Sequence, residues 1–142
     1  MRKGIVCIIL TVTCILSAEA QSIFGEWKSI DSKTGKTEAI ITIYKENNMA
    51  YAKIVDILNP DDKDKICIYC KGKNKNKPIL GMIILDGLKE DGDEWSGGKI
   101  VDPKNGNRYK CYIKLKDKTT LKLRGYIGIS LFGRTEYWKR VE

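Results

Sequence analysis

The stretch NRYKCYIKLK, residues 107–116, alternates without a break. Tyr109, Cys111, Ile113 and Leu115 fall on one side of an extended chain. Arg108, Lys110, Tyr112, Lys114 and Lys116 fall on the other. After a polar turn at Asp117-Lys118, Leu121, Leu123 and Ile127 continue the first face, and Lys122, Arg124 and Tyr126 the second. A period of two that survives a turn predicts an antiparallel hairpin with one buried face and one wet one.

Outward from this hairpin the same signals recur. Strands are expected at 23–30, 37–45, 49–58, 79–88, 94–101 and 134–141. They are separated by turn chemistry such as Asp31-Ser32-Lys33-Thr34-Gly35, Glu46-Asn47-Asn48 and Asp102-Pro103-Lys104-Asn105-Gly106. The continuous apolar run of the fourth strand predicts burial on both faces or a bend at Gly87. Eight short strands without an amphipathic helix predict an all-β fold: a single eight-stranded antiparallel up-and-down β-barrel, with a flattened β-sandwich as the alternative. At eight strands the interior holds side chains or one small ligand. The rhythm breaks only at 59–78, where six lysines, three aspartates and a central Cys67-Ile68-Tyr69-Cys70 make a long connection of the kind that is either a functional lid or mobile.

The first twenty residues stand outside this pattern. A basic start (Arg2, Lys3), an apolar run from Gly4 to Leu16 and Ala18-Glu19-Ala20 read as a signal peptide cleaved before Gln21. Lipidation at Cys14 is disfavoured by Thr13 before it, and the run is short of the about 20 residues a membrane span needs. An exported protein, periplasmic or secreted, with no transmembrane segment is expected. Its mature form of 122 residues carries 24 basic and 17 acidic side chains, a net +7. Only four of the 24 are arginines and export removes most nucleic acid, so a solvated lysine surface is expected, with weak attraction to an anionic envelope surface as its sharper use.

Catalytic options are few. Without histidine no Ser-His-Asp or Cys-His arrangement exists. Asp86 and Asp102, the candidate acid–base carboxylates, are read as turn caps instead. In an exported chain Cys67 and Cys70 favour a local disulfide over a redox pair or a zinc site, since the three cysteines after residue 20 lack the partners a metal wants. Cys111 reads as a buried thiol, with pairing to Cys67 or Cys70 as the alternative. Trp27 with Arg124, Arg134 and Trp138 is expected where first and last strands close the barrel, an arginine lying on an indole. Tyr44, Tyr51, Trp95 and Tyr126 are the candidate ligand-binding aromatics at a cavity mouth.

Gly25-Glu26-Trp27 resembles the G-x-W signature of lipocalins. More of the chain resembles an uncharacterised family of small exported bacterial proteins, the domain of unknown function numbered twenty-one forty-seven. The resemblance is carried by Cys67-x-x-Cys70 with Pro78-x-x-Gly81, and by Trp95-x-Gly97-Gly98-x-Ile100-x-Asp102-Pro103-x-x-Gly106-x-x-Tyr109. Arg124-Gly125-Tyr126-x-Gly128 and Gly133-Arg134-Thr135-x-x-Trp138 complete it. It implies a lipocalin-like exported barrel and brings no established activity and no catalytic residue. The combined expectation is a monomeric, non-enzymatic barrel without cofactor that binds a small apolar molecule. An envelope protein using its lysines on anionic lipid or polysaccharide is the alternative.

Overall fold

Eight antiparallel strands follow one another around a closed barrel in the computed structural model, which describes residues 21–142. They are β1 (Gly25–Ile30), β2 (Thr37–Glu46), β3 (Met49–Ile57), β4 (Ile83–Asp91), β5 (Glu94–Val101), β6 (Arg108–Leu115), β7 (Thr120–Tyr126) and β8 (Gly133–Arg140). Each strand pairs with the next and β8 returns to β1, which rules out the flattened sandwich. The expected leader lies outside the described residues. No helix among the described residues is long and apolar enough to cross a membrane.

Local chemistry fixes the corners. Asn47 and Asn48 both take positive φ, 49° and 61°, which makes the two-residue β2–β3 turn match the right-handed twist of its strands. At Gly98, where β5 bulges against β6, a Cβ would fall 2.3 Å from the Asp86 carbonyl oxygen, so only glycine lets β4 and β5 approach there. Gly87 has φ of 72° and the β3–β4 register shifts around it, the bend that is one of the two expectations for this run. The fourth strand nevertheless starts at Ile83 rather than 79. Ile79 and Leu80 lead into a turn at Gly81 (φ 87°), so the first part of that apolar run belongs to the preceding loop.

The inward rungs form the core. Trp27, Leu88, Ile113 and Leu121 have no exposed surface at all, so protein atoms fill the barrel around them. Each such side chain contributes about 1.5–3 kcal/mol by leaving water. The β2–β3, β4–β5 and β6–β7 turns sit at this filled end, together with the start of β1 and the end of β8. The loops after β1, β3, β5 and β7 gather at the other.

Candidate functional site

The two ends differ in what closes them. At the filled end Trp27 donates its indole N–H to the Ile23 carbonyl (2.8 Å), and Phe24 packs edge-on against Trp95 at 5.4 Å. The guanidinium that covers Trp27 belongs to Arg140, 4.2 Å from the ring centre, and not to Arg124 or Arg134. The β1–β8 register decides this: Trp27 pairs with Arg140, whereas Arg124 and Arg134 lie towards the opposite end of the barrel. Arg140 also donates to the carbonyls of Ser22 (2.6 Å), Phe24 (3.2 Å) and Lys118 (2.9 Å), tying the segment before β1, β8 and the β6–β7 turn together.

At the other end the long connection between β3 and β4 is a structured flap. Cys67 and Cys70 form a disulfide and both are buried in the core cluster. Ile66 bridges to Pro78, Cys67 N–H donates to the Lys77 carbonyl (2.8 Å), and Ile79 N–H to that of Lys65 (3.0 Å). The flap folds over the β4–β6 side of the rim. Cys67 Sγ lies 3.4 Å from the Pro103 carbonyl oxygen, and the Tyr69 backbone crosses so close to Gly106 that a Cβ there would sit 2.1 Å from its oxygen. Lys73 reaches Asp86 at 3.9 Å. The neighbouring turn is fastened by Lys104, 2.7 Å from Glu38, a hydrogen bond that holds the lysine pKa above its usual value.

The β8–β1 side of the same end is open. Pairing between β1 and β8 covers only Trp27↔Arg140 and Lys28↔Lys139, so β8 runs on from Trp138 to Gly133 without a β1 partner. Alternation from inward-facing Trp138 puts Glu136 and Arg134 on the inner wall too, beside Leu123 and Gly125 of β7. Yet their side chains are 45% and 77% exposed, and they pair with each other at 3.0 Å. Inward Ser29 and Ala39 on β1 and β2 are only half-buried. Water therefore reaches the inner wall here. Just below, Trp138 is 2% exposed, and its indole N–H has no hydrogen-bond partner among the described residues.

The aromatics expected at a mouth are not brought together. Tyr44 and Tyr51 stack on each other at 5.7 Å across β2 and β3, on the face opposite to buried Ile43 and Ala52. Tyr126 shares the outer face of β7 with Lys122 and Arg124. Trp95 faces inward at the filled end. It borders an open depression of about 530 Å³ with Lys45, Asn47, Asn48, Met49, Lys89 and Glu90. Met49 and the edge of Trp95 are its apolar surface, too little to bury most of an apolar molecule.

The remaining candidates have structural partners. Asp102 accepts from Lys104 N–H at 2.9 Å and caps the β5–β6 turn. Cys111 is a free buried thiol whose pKa burial pushes up to about 12. Arg124 braces the β7–β8 loop, donating to Ser130 O (2.7 Å), Leu131 O (3.5 Å) and Thr135 Oγ1 (2.8 Å). Glu136 was missed by sequence reasoning, and Trp138 was expected only as a barrel-closing residue, not as a buried donor without a partner among the described residues. Their signal was the period of two carried along β8, which places both on the inner face.

The model of an uncharacterised protein family conserved in bacteria, DUF2147, matches residues 25–140. The chain belongs to this family. A search of curated proteins finds no match. Among solved structures the DUF2147 barrel is similar to protein HP1028 of the human pathogen Helicobacter pylori, described as belonging to the lipocalin family. The TM-score is 0.75 at 18% identity, over 87% of this chain and 85% of that one. The fold of this DUF2147 chain is thus lipocalin-like: an all-antiparallel closed barrel whose G-x-W strand lies at the filled end.

Proposed function

We propose that this DUF2147 chain is an exported, non-enzymatic binding protein. It holds a small, mainly apolar molecule inside the flap end of its barrel, against the inner wall between β8, β1 and β2. The reading rests above all on the unpartnered indole N–H of Trp138, buried one rung below the wet Arg134–Glu136 pair. Leaving such a donor unpaired costs about 1–3 kcal/mol, a cost that a ligand oxygen would relieve. The ligand class follows from the wall: apolar surface from half-buried Ala39 with buried Leu123 behind it, one buried donor, and an ion pair at the water line. It is a molecule with an apolar body and one hydrogen-bond-accepting end. The flap supports this reading, since its disulfide-tied shape covers one side of the mouth and leaves the other for entry. The lipocalin-like fold supports it further, as barrels of this size accommodate one small ligand.

The test is a fluorescence titration of the barrel, residues 21–142, with a fluorescent long-chain fatty acid. Trp138→Phe, which keeps the shape but removes the donor, should weaken binding by about tenfold, one hydrogen bond's worth. Ala39→Trp, which sets a bulky ring against this wall, should abolish it. Equal affinity in all three proteins would refute the placement of the site.

A further inference from the structure

The β7–β8 loop displays an apolar surface that the barrel does not use. Ile127, Ile129, Leu131 and Phe132 are 70%, 55%, 80% and 72% exposed. They lie on one short hairpin tip, closed by hydrogen bonds from Ile127 N–H to Phe132 O (3.2 Å) and from Phe132 N–H to Ile129 O (3.1 Å). Soluble surfaces carry scattered apolar residues, but four large ones on a single projecting tip mark a contact surface.

The wall that leads to this tip is basic and aromatic. Lys110, Lys122 and Lys139 point outward from β6, β7 and β8, with Tyr112, Tyr126 and Tyr137 between them. None of these three strands contributes a carboxylate to its own outward face, because Glu136 is turned to the inner wall; Asp93 of the β4–β5 turn pairs with Lys114 at the edge of the wall (2.7 Å). Lys122 sits 5.6 Å over the Tyr112 ring, and Lys116 5.0 Å over Tyr137, cations stacked on rings as at a membrane interface. Arg124 joins wall and tip. By donating to the carbonyls of Ser130 and Leu131 it satisfies backbone groups that would otherwise enter an apolar phase unpaired.

We propose that this face docks on an anionic lipid bilayer, with the 127–132 tip inserted among the acyl chains and the β6–β8 wall against the headgroups. Charge alone would equally suit an acidic polysaccharide or a nucleic acid, but neither offers a medium for four aliphatic and aromatic side chains. A second copy of the chain would offer one, yet would bring two like-charged walls together. The inference is independent of any ligand inside the barrel. The open β8–β1 side of the mouth lies beside the tip, so docking would set that mouth at the lipid surface.

The experiment uses residues 21–142, which form the closed barrel with its own core, because the apolar residues 4–16 would add lipid binding of their own. Phe132→Trp is titrated with phosphatidylcholine vesicles containing or lacking phosphatidylglycerol. The expected result is a blue-shifted tryptophan spectrum, quenched by brominated acyl chains, on anionic vesicles only, with binding that weakens as salt rises. Leu131→Ser with Phe132→Ser should lower vesicle binding by about a hundredfold, the loss of two side chains' transfer from water. Being on an exposed tip, these changes should leave the barrel's circular dichroism and melting temperature unchanged. An unshifted spectrum would overturn the proposal, as would undiminished vesicle binding by the double variant. So would sedimentation showing a dimer that the double variant abolishes, since the tip would then belong to a second copy.

Discussion

Replacing Arg140 with alanine removes a side chain that ties the segment before β1 and the end of β8 to the barrel floor. Its guanidinium lies 4.2 Å from the Trp27 ring centre, and its three donors reach the carbonyls of Phe24, Ser22 and Lys118. Stacking on a partly desolvated ring contributes about 1 kcal/mol. The part-buried, charge-assisted bond to Phe24 contributes about 1.5 kcal/mol, and the two exposed bonds together about 0.5 kcal/mol. Arg140→Ala should therefore cost about 3 kcal/mol, a large share of a stability of about 5–15 kcal/mol. With an unfolding entropy of about 2.1 cal/mol/K per residue over the 122 residues from Gln21, that is a fall in Tm of about 12 °C. Urea unfolding and calorimetry measure it, with an unchanged urea m-value as the check that the unfolded state is the same. Arg140→Lys keeps the charge but not the planar fork and should recover less than half. By contrast Arg134→Ala breaks only an exposed ion pair and should cost less than about 0.5 kcal/mol. If Arg134→Ala or Arg124→Ala proves as costly as Arg140→Ala, or Arg140→Ala costs under about 1 kcal/mol, this account of barrel closure is wrong.

Three further outcomes are expected. Buried Cys111 should resist Ellman's reagent at pH 8 until the barrel is unfolded. Its thiol stays protonated to about pH 12 when folded but ionises above its ordinary value of 9.0 when unfolded. Its contribution to stability is therefore full below pH 9 and lost as the pH climbs towards 12, by about 1.4 kcal/mol per unit, a slope Cys111→Ala should lack. Replacing Cys67 and Cys70 by alanine should lower stability by about 2 kcal/mol, the loop-closure value for so short a ring, and expose the flap to proteases while the strand signal in circular dichroism persists. Gly106→Ala should cost about 3 kcal/mol and free the flap likewise, since the residue has φ of 72° and its new Cβ would collide with the Tyr69 backbone. A stable, protease-resistant Gly106→Ala protein would show that the flap is not docked there.

Strand identity was legible because burial in this fold alternates, and residues 107–116 carry that alternation cleanly into β6. The bend at Gly87 was legible only as one of two readings of that apolar run, the other being burial on both faces. The start of β4 was not. Ile79 and Leu80 are as apolar as the strand that follows, and only the flap's own packing claims them. Which arginine covers Trp27 was illegible for a different reason. Arg124, Arg134 and Arg140 are chemically alike, and the choice depends on the register of a β1–β8 pairing across most of the chain. The tyrosines were over-read as ligand contacts: the period of two that finds β7 already sets Tyr126 beside Lys122 and Arg124, on the outer wall. Several of the family-like positions turn out to serve backbone packing, Gly98 against Asp86, Gly106 beneath Tyr69 and Gly133 against Gly125, where a Cβ would sit 2.3, 2.1 and 2.3 Å from a carbonyl oxygen. That is why the motif announces a fold more clearly than a chemistry.

The most direct test of the binding proposal is backbone amide chemical-shift mapping of residues 21–142 during titration with a medium-chain fatty acid. The account predicts saturable shifts grouped on Ser29, Ala39, Leu123, Glu136 and the Trp138 indole, with flap residues following. Shifts confined to Lys45, Asn47, Met49 and Trp95, or spread over the outer lysine wall with the Trp138 indole unmoved, would contradict it.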